Sequence, residues 1–311
     1  MKLSASRINT FLKCSWTYYC RYVLKIPDAG NDGARRGSVT HAVLECLLNP
    51  RHKKYVAKCK TAPEKIPAIK RLTEKQAKKY GVCDPENLKL IYSFIKVGVK
   101  SDFFCEDYEL LPPEYKFDIV SENPKYEIMG FIDKSAVSNA EILIVDYKTS
   151  KSKPSGKDKS FNVQALTYAL ALRKKFPELK KIKVRFLYLK FARQPYMEYE
   201  FRPETIDGFE FYLEKMYSIL SKFNIKTACS NFCKYNDYFR LCGGLKGELK
   251  KDGSLKWVCP LKYPMLYWVA VDKDGAIKHS AFEEEGLAKY KDTHKLEQRL
   301  YAGCPAWKQK I

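Results

Sequence analysis

The chain has 311 residues, 45% hydrophobic and 14% aromatic, enough apolar material for a large buried core, which excludes a mainly disordered chain. Lysine and arginine number 57 against 36 acidic residues, and the net charge of +21 points to a polyanionic partner, nucleic acid ahead of a membrane surface. The N-terminus "MKLSASRINTFLKC" has no signal-peptide apolar core, and no apolar run nears the roughly 20 residues of a bilayer span, so an intracellular protein, cytoplasmic or nuclear, without a membrane partner is expected.

In chain order, "LSASRINTFLKCSWTYYCRYVLKIP" reads as a helix capped by Ser4 or Ser6 and stopped by Pro27. A loop, "DAGNDGARRG", and a short amphipathic helix, "SVTHAVLECLL", follow. Residues 51–108 are lysine-rich and helical in pattern, without a readable motif. Three strands at 114–120, 125–137 and 141–149 then predict a meander. Residues 160–176 are apolar around most of a helical circumference, which predicts a well-buried helix. A strand at 181–191 is expected to pair with "YMEYEF", and Pro203 starts the helix "PETIDGFEFYLEKMYSILSKF". Beyond residue 225 the chain turns to cysteines and glycines, with a hairpin around "DKDG" at 272–275. This alternation of elements predicts a mixed α/β core.

The stretch "EILIVDYKTS" places an acid and a lysine at the end of a run that reads as a buried strand. If Asn139-Ala140 is a two-residue turn, residues whose numbers sum to 279 face one another, and Asp133 opposes Asp146. Lys148 shares their face, because strand side chains alternate with period two. Opposed carboxylates repel unless a cation lies between them, and oxygen ligands suit Mg²⁺ or Mn²⁺. An acid and a lysine at a strand end are otherwise ordinary surface residues. What separates Asp146 from them is the preceding "ILIV", the opposed Asp133 and the glycine at 130.

"GFID", "VDYKT" and "QALTY" in this order, with "SASRINTFLKCSWTYYCRYV" and "RRGSVTHAVLE" upstream, resemble the PD-(D/E)XK nucleases. The likeness is to the RecB/AddB-like exonuclease branch, which includes CRISPR-associated RecB-like nucleases and viral relatives. It covers roughly residues 3–50 and 112–240. It implies a restriction-endonuclease-like core with a mixed central sheet flanked by helices. The segments would then be an N-terminal helical motif region at 1–50, a basic helical insertion at 51–110, the nuclease core at 111–225 and a cysteine-containing extension at 226–311. His41, Asp133, Asp146 and the backbone carbonyl of Tyr147 would hold the metal. Lys148 would orient the attacking water or stabilise charge on the phosphate, while Gln164 and Tyr168 support the site. Glu114 matches an acid that the branch often carries before its first core strand. Glu45, one turn after His41, reads as a supporting residue or an ordinary surface acid.

The cysteine count, 11 in all and odd, fits thiols that ligate metal or fill the core better than a disulfide framework. The resemblance implies an iron–sulfur cluster held by Cys14 (Cys20 as a substitute) with Cys229, Cys233 and Cys242. The usual tight C-x2-C is C-x3-C here, or else Asn236 stands in a ligand position. A structural Zn²⁺ on Cys229, Cys233, Cys242 and Cys259, or no metal at all, are the alternatives. The expected activity is metal-dependent hydrolysis of DNA at ends or on single strands, in recombination, repair or replication, with a helicase or similar protein as partner. A structure- or sequence-specific endonuclease and an inactive nucleic-acid-binding subunit are the rival readings.

Overall fold

The computed structural model describes residues 1–28, 30–100, 103–122, 125–154, 161–224 and 259–305. The chain forms two compact units, one of residues 1–5 and 30–218, the other of residues 6–29 and 219–311.

The larger unit opens with α3 (Asp32–Leu48) and continues through α4 (Lys53–Cys59), α5 (Pro67–Tyr80) and α6 (Pro85–Lys100). Its main sheet contains β1 (Glu109–Leu110), β4 (Lys134–Val137), β5 (Glu141–Lys148), β6 (Lys181–Tyr188) and β7 (Tyr196–Phe201), in the order β1-β4-β5-β6-β7. The crossover helix α7 (Val163–Lys175) joins β5 to β6, which run parallel; every other pairing is antiparallel, so the sheet is mixed. α8 (Pro203–Ser221) follows β7. Leu143, Val145 and Tyr147 of β5 face a core built with Val43, Leu44 and Leu47 of α3 and Ile91, Phe94 and Ile95 of α6. Nine residues of α7 are buried, as a helix apolar on most sides requires. The mixed sheet with flanking helices is the architecture expected from the sequence.

The predicted meander differs in one respect. The strand expected over 125–137 breaks at Asp133 into β3 (Glu127–Ile132) and β4. β3 pairs with β2 (Tyr115–Val120) in a separate two-stranded sheet, which Leu3 extends by a bridge to Ile128. The cause is tertiary: the Asp133 carbonyl accepts from the Glu114 amide at 3.2 Å and its Oδ2 accepts from the Tyr147 amide at 2.8 Å, so Asp133 is drawn out of regular pairing. The β4–β5 register itself is the expected one, with Lys134 opposite Val145 and Val137 opposite Ile142. Helix α3 begins earlier than its apolar pattern predicts, because Asn31 caps it by accepting from the Ala34 amide at 3.0 Å. Six of the ten residues of the expected "DAGNDGARRG" loop, 32–37, are therefore helical.

In the smaller unit the predicted N-terminal helix is interrupted. α1 (Ala5–Lys13) ends at Cys14, which has extended backbone and caps α2 (Ser15–Tyr18) by accepting from the Thr17 amide at 3.4 Å; a π turn (Tyr19–Val23) follows. A three-stranded antiparallel sheet orders β10 (Lys295–Tyr301), β8 (Met265–Val271) and β9 (Ile277–Ala281). Gly275, at φ +77°, makes the β8–β9 turn where "DKDG" predicts it. The core is pinned by buried polar bonds: Trp16 Nε1 donates to Tyr301 Oη at 2.7 Å, and that hydroxyl donates to the Leu261 carbonyl at 2.8 Å. Among the described residues, no helix is long and apolar enough to cross a membrane.

Candidate active site

Alternation along β5 puts Leu143, Val145 and Tyr147 on the helical core and Ile142, Ile144, Asp146 and Lys148 on the opposite face. Asp146 is thus 3% exposed at the end of an apolar strand, a position that costs several kcal/mol for an unpaired carboxylate, of order 1–3 or more. Its partners offset that cost. Tyr168 Oη donates to Oδ1 at 2.9 Å, and Gln164 Nε2 donates to the same oxygen at 3.0 Å. Gln164 also donates to Tyr168 Oη at 2.6 Å and accepts from Lys148 Nζ at 2.7 Å. Gln164 and Tyr168 reach Asp146 together because a four-residue step on α7 returns to one face. Lys148 Nζ lies 2.6 Å from Asp146 Oδ2, outside hydrogen-bond alignment, which leaves that buried oxygen without an aligned donor.

A second group forms beside it. Asp133 Oδ1 is 3.2 Å from His41 Nδ1, while its Oδ2 takes the amide of Tyr147, the residue after Asp146. The Tyr147 ring meets the His41 ring nearly at a right angle, with centroids 5.9 Å apart. Glu114 completes the group: His41, Glu114 and Asp133 offer ligand atoms all within 4.8 Å of one another. Glu114 holds φ at +52°, a left-handed conformation that costs a non-glycine residue about 1–3 kcal/mol and that its amide bond to the Asp133 carbonyl helps maintain.

The electrostatics follow from this crowding. Burial disfavours the His41 imidazolium, but the hydrogen bond and charge of Asp133 outweigh it and raise the pKa to about 8. Burial, then the charges of Asp133 and Glu45, push the Glu114 carboxyl up. Burial also raises Asp146, with Lys148 opposing and Asp133 adding to the shift. The excess negative charge and the closely spaced imidazole and carboxylates of His41, Glu114 and Asp133 are a donor set that fits a hard divalent cation.

The structure therefore brings His41, Glu114, Asp133, Tyr147, Asp146, Lys148, Gln164 and Tyr168 into one region of the larger unit, with Glu45 lining the adjoining cavity. Sequence reasoning missed three contributors, Tyr80, Thr149 and Phe117. Tyr80 and Thr149 line the cavity beside His41. Phe117 braces Tyr168 edge-on at 6.3 Å, and Gly130 gives Phe117 its room, since a Cβ there would lie 2.5 Å from the ring. The glycine in "GFID" was the available signal for Phe117; Tyr80 lies in the lysine-rich helical segment 51–108 and carried none.

Of the candidate cluster ligands, Cys229, Cys233 and Cys242 lie outside the described residues. Cys14, Cys20, Cys259 and Cys304 gather in the core of the smaller unit with Trp16 and Tyr301. Burial, with the neighbouring Cys304, Cys14 and Cys259, pushes the Cys20 thiol up to about 12 against the opposing hydrogen bond with Tyr301. Among the described residues these four thiols form no metal-ligating group as tight as that of His41, Glu114 and Asp133.

No curated protein matches the sequence. Among solved structures, a protein from Eubacterium rectale, provisionally named an exonuclease, superposes with a TM-score of 0.46 at 11% identity, covering 80% of this chain and 91% of its own. The crystal structure of SSO0001 gives a TM-score of 0.26 at 18% identity, covering 66% of this chain and 95% of its own. The family model of the PD-(D/E)XK nuclease superfamily matches residues 2–243, and the chain belongs to that superfamily.

Proposed function

We propose that this protein is a Mg²⁺- or Mn²⁺-dependent deoxyribonuclease of RecB-like exonuclease type, acting on DNA ends or single strands. The observation that carries the reading is the convergence of His41, Glu114 and Asp133 beside the buried pair Asp146 and Lys148. His41, Asp133, Asp146, the Tyr147 carbonyl and Glu114 are the residues that would hold the cation. When bound, it supplies the acidity that makes a water nucleophilic and the charge that offsets the phosphate in the transition state. Lys148 presents its ammonium to the attacking water or to a phosphate oxygen. Gln164 and Tyr168 fix the Asp146 carboxylate and aim Lys148, so the constellation costs little reorganisation when substrate arrives. The net charge of +21 favours a polyanion, whose binding weakens as salt rises.

A further part of this reading is an iron–sulfur cluster or Zn²⁺ at the cysteines, joining distant parts of the chain without taking part in hydrolysis. Iron and zinc analysis with a visible spectrum separates the two, and a colourless, metal-free, fully active protein excludes both. Residues beyond 245 are a candidate contact for a helicase or other recombination protein.

End-labelled linear DNA and closed circular DNA, each incubated with Mg²⁺ or Mn²⁺, test the activity. Loss of linear DNA alone supports the exonuclease; cutting of the circle assigns an endonuclease. Asp146→Ala and Lys148→Ala are expected to abolish either. If wild type binds DNA and cuts neither form, the protein is a binding subunit; if both variants match wild type, the assignment of residues is wrong.

A further inference from the structure

One face of α3 lacks bulk. Ala34, Gly37, Ser38 and Ala42 recur at the spacing that lines a single helical stripe, and they floor a cavity of about 540 Å³ walled in part by Tyr80 and Thr149. The cavity is broadly open to solvent, and its volume admits one small organic group. Gly37 is needed for the close approach of the helix to the residue after Lys148, since a Cβ there would lie 2.9 Å from Thr149 Oγ1. Tyr80 is placed by the end of α5. Gly81, at φ +68°, reverses the chain, the Val82 amide donates back to the Ala77 carbonyl at 2.9 Å, and Val82 is fully buried.

His41 and Glu114 belong to the same cavity wall, so the space begins where a phosphate bound at the cation would lie. The lining carries two carboxylates, Glu45 and Glu114, and no lysine or arginine. With His41 and Glu114 engaged on the cation, the Glu45 carboxylate is left to accept from a neutral heterocycle that carries N–H donors. An aromatic ring at the wall offers that heterocycle a stacking partner. A base held in a pocket of this size has left its complement, so the strand is single here.

We propose that this cavity is a subsite for one unpaired nucleotide adjoining the cleaved phosphate, with Tyr80 stacking on its base. The proposal rests on the nuclease reading above and adds a residue from the helical insertion to substrate recognition. Binding of a labelled single-stranded oligodeoxynucleotide, read by fluorescence anisotropy with Ca²⁺, tests it alongside hydrolysis with Mg²⁺.

Tyr80→Ala is expected to raise Kd about 5- to 150-fold, the range of one lost stacking contact. Tyr80→Phe is expected to bind as wild type. Ser38→Trp, which fills the cavity from an exposed position, is expected to weaken binding similarly. One abasic position beside the cut is expected to weaken wild type by the same factor and Tyr80→Ala no further. Wild-type affinity in both Tyr80→Ala and Ser38→Trp, or no abasic position that matters, overturns the subsite. Tyr80-dependent binding without cutting overturns hydrolysis and leaves the subsite standing; cutting without Tyr80 dependence does the reverse.

Discussion

Gly130 is where the β2–β3 hairpin meets the candidate site. It pairs with Phe117 across the hairpin, and the Phe117 ring lies over it so closely that an added Cβ would sit 2.5 Å from Cζ and 2.9 Å from Cε1. A phenyl ring has no flexible end to yield, and this one is 4% exposed and pressed edge-on against Tyr168 at 6.3 Å. Gly130→Ala must therefore displace Phe117. Overpacking of this kind costs about 1–3 kcal/mol, while alanine recovers about 0.5–1 kcal/mol of backbone entropy in a strand. The net is a loss of about 0–2.5 kcal/mol, set against a typical stability of about 5–15 kcal/mol. Because Tyr168 bonds Asp146, the same displacement is expected to lower kcat more than it raises KM. Phe117→Leu in the Gly130→Ala background opens space, so the double variant is expected to be more stable than additivity allows by about 1 kcal/mol. Urea denaturation followed by circular dichroism gives the stabilities, and hydrolysis of an end-labelled oligonucleotide gives kcat and KM. Gly130→Ala more stable than wild type, or strict additivity in the double variant, refutes the reasoning.

Tyr168→Phe removes the hydroxyl between Asp146 and Gln164, a bond to a charged group worth about 1.5–3 kcal/mol, and is expected to lower kcat about 10- to 150-fold with KM nearly unchanged; an unchanged kcat means that Tyr168 does not orient Asp146. Glu141 is held against burial by the Tyr108 hydroxyl, Lys183 and Lys181, which bring its pKa from 4.5 down to about 2. That depression, reduced because solvent screens the half-exposed Lys181 and Lys183, contributes about 1–2 kcal/mol above pH 4.5 and is lost as pH falls towards 2, so the stability gap between wild type and Glu141→Gln is expected to close on acidification; a pH-independent gap contradicts it. Tyr301→Phe strands the buried Trp16 N–H and the Leu261 carbonyl, and is expected to destabilise the smaller unit by about 1–3 kcal/mol in thermal unfolding, an unchanged midpoint being the refuting result.

What could be read from the sequence is what local rules govern. A two-residue turn at Asn139-Ala140 and a period of two suffice to set the β4–β5 register, and they also place Asp146 and Lys148 on one face. The four-residue step from Gln164 to Tyr168 likewise needed only helical geometry. The break at Asp133 was not legible, because distant donors cause it: the amides of Glu114 and Tyr147 reach it only once three strands have assembled. Glu114 carries no local signal for its left-handed backbone. The interruption at Cys14 was hidden for a related reason: a cysteine cap resembles a helix interior in composition, and only its extended backbone reveals it. The stripe of small residues on α3 was visible as letters, yet its meaning depends on Tyr80 and Thr149, brought there by other elements.

The central claim is that this chain's acids and histidine gather to hold one hard cation, and Mn²⁺ binding without DNA tests it most directly. Titration followed by electron paramagnetic resonance is expected to show saturable Mn²⁺ binding by wild type, with Asp133→Asn and His41→Ala each weakening it by about tenfold or more. Equal Mn²⁺ affinity in wild type and both variants would contradict the account.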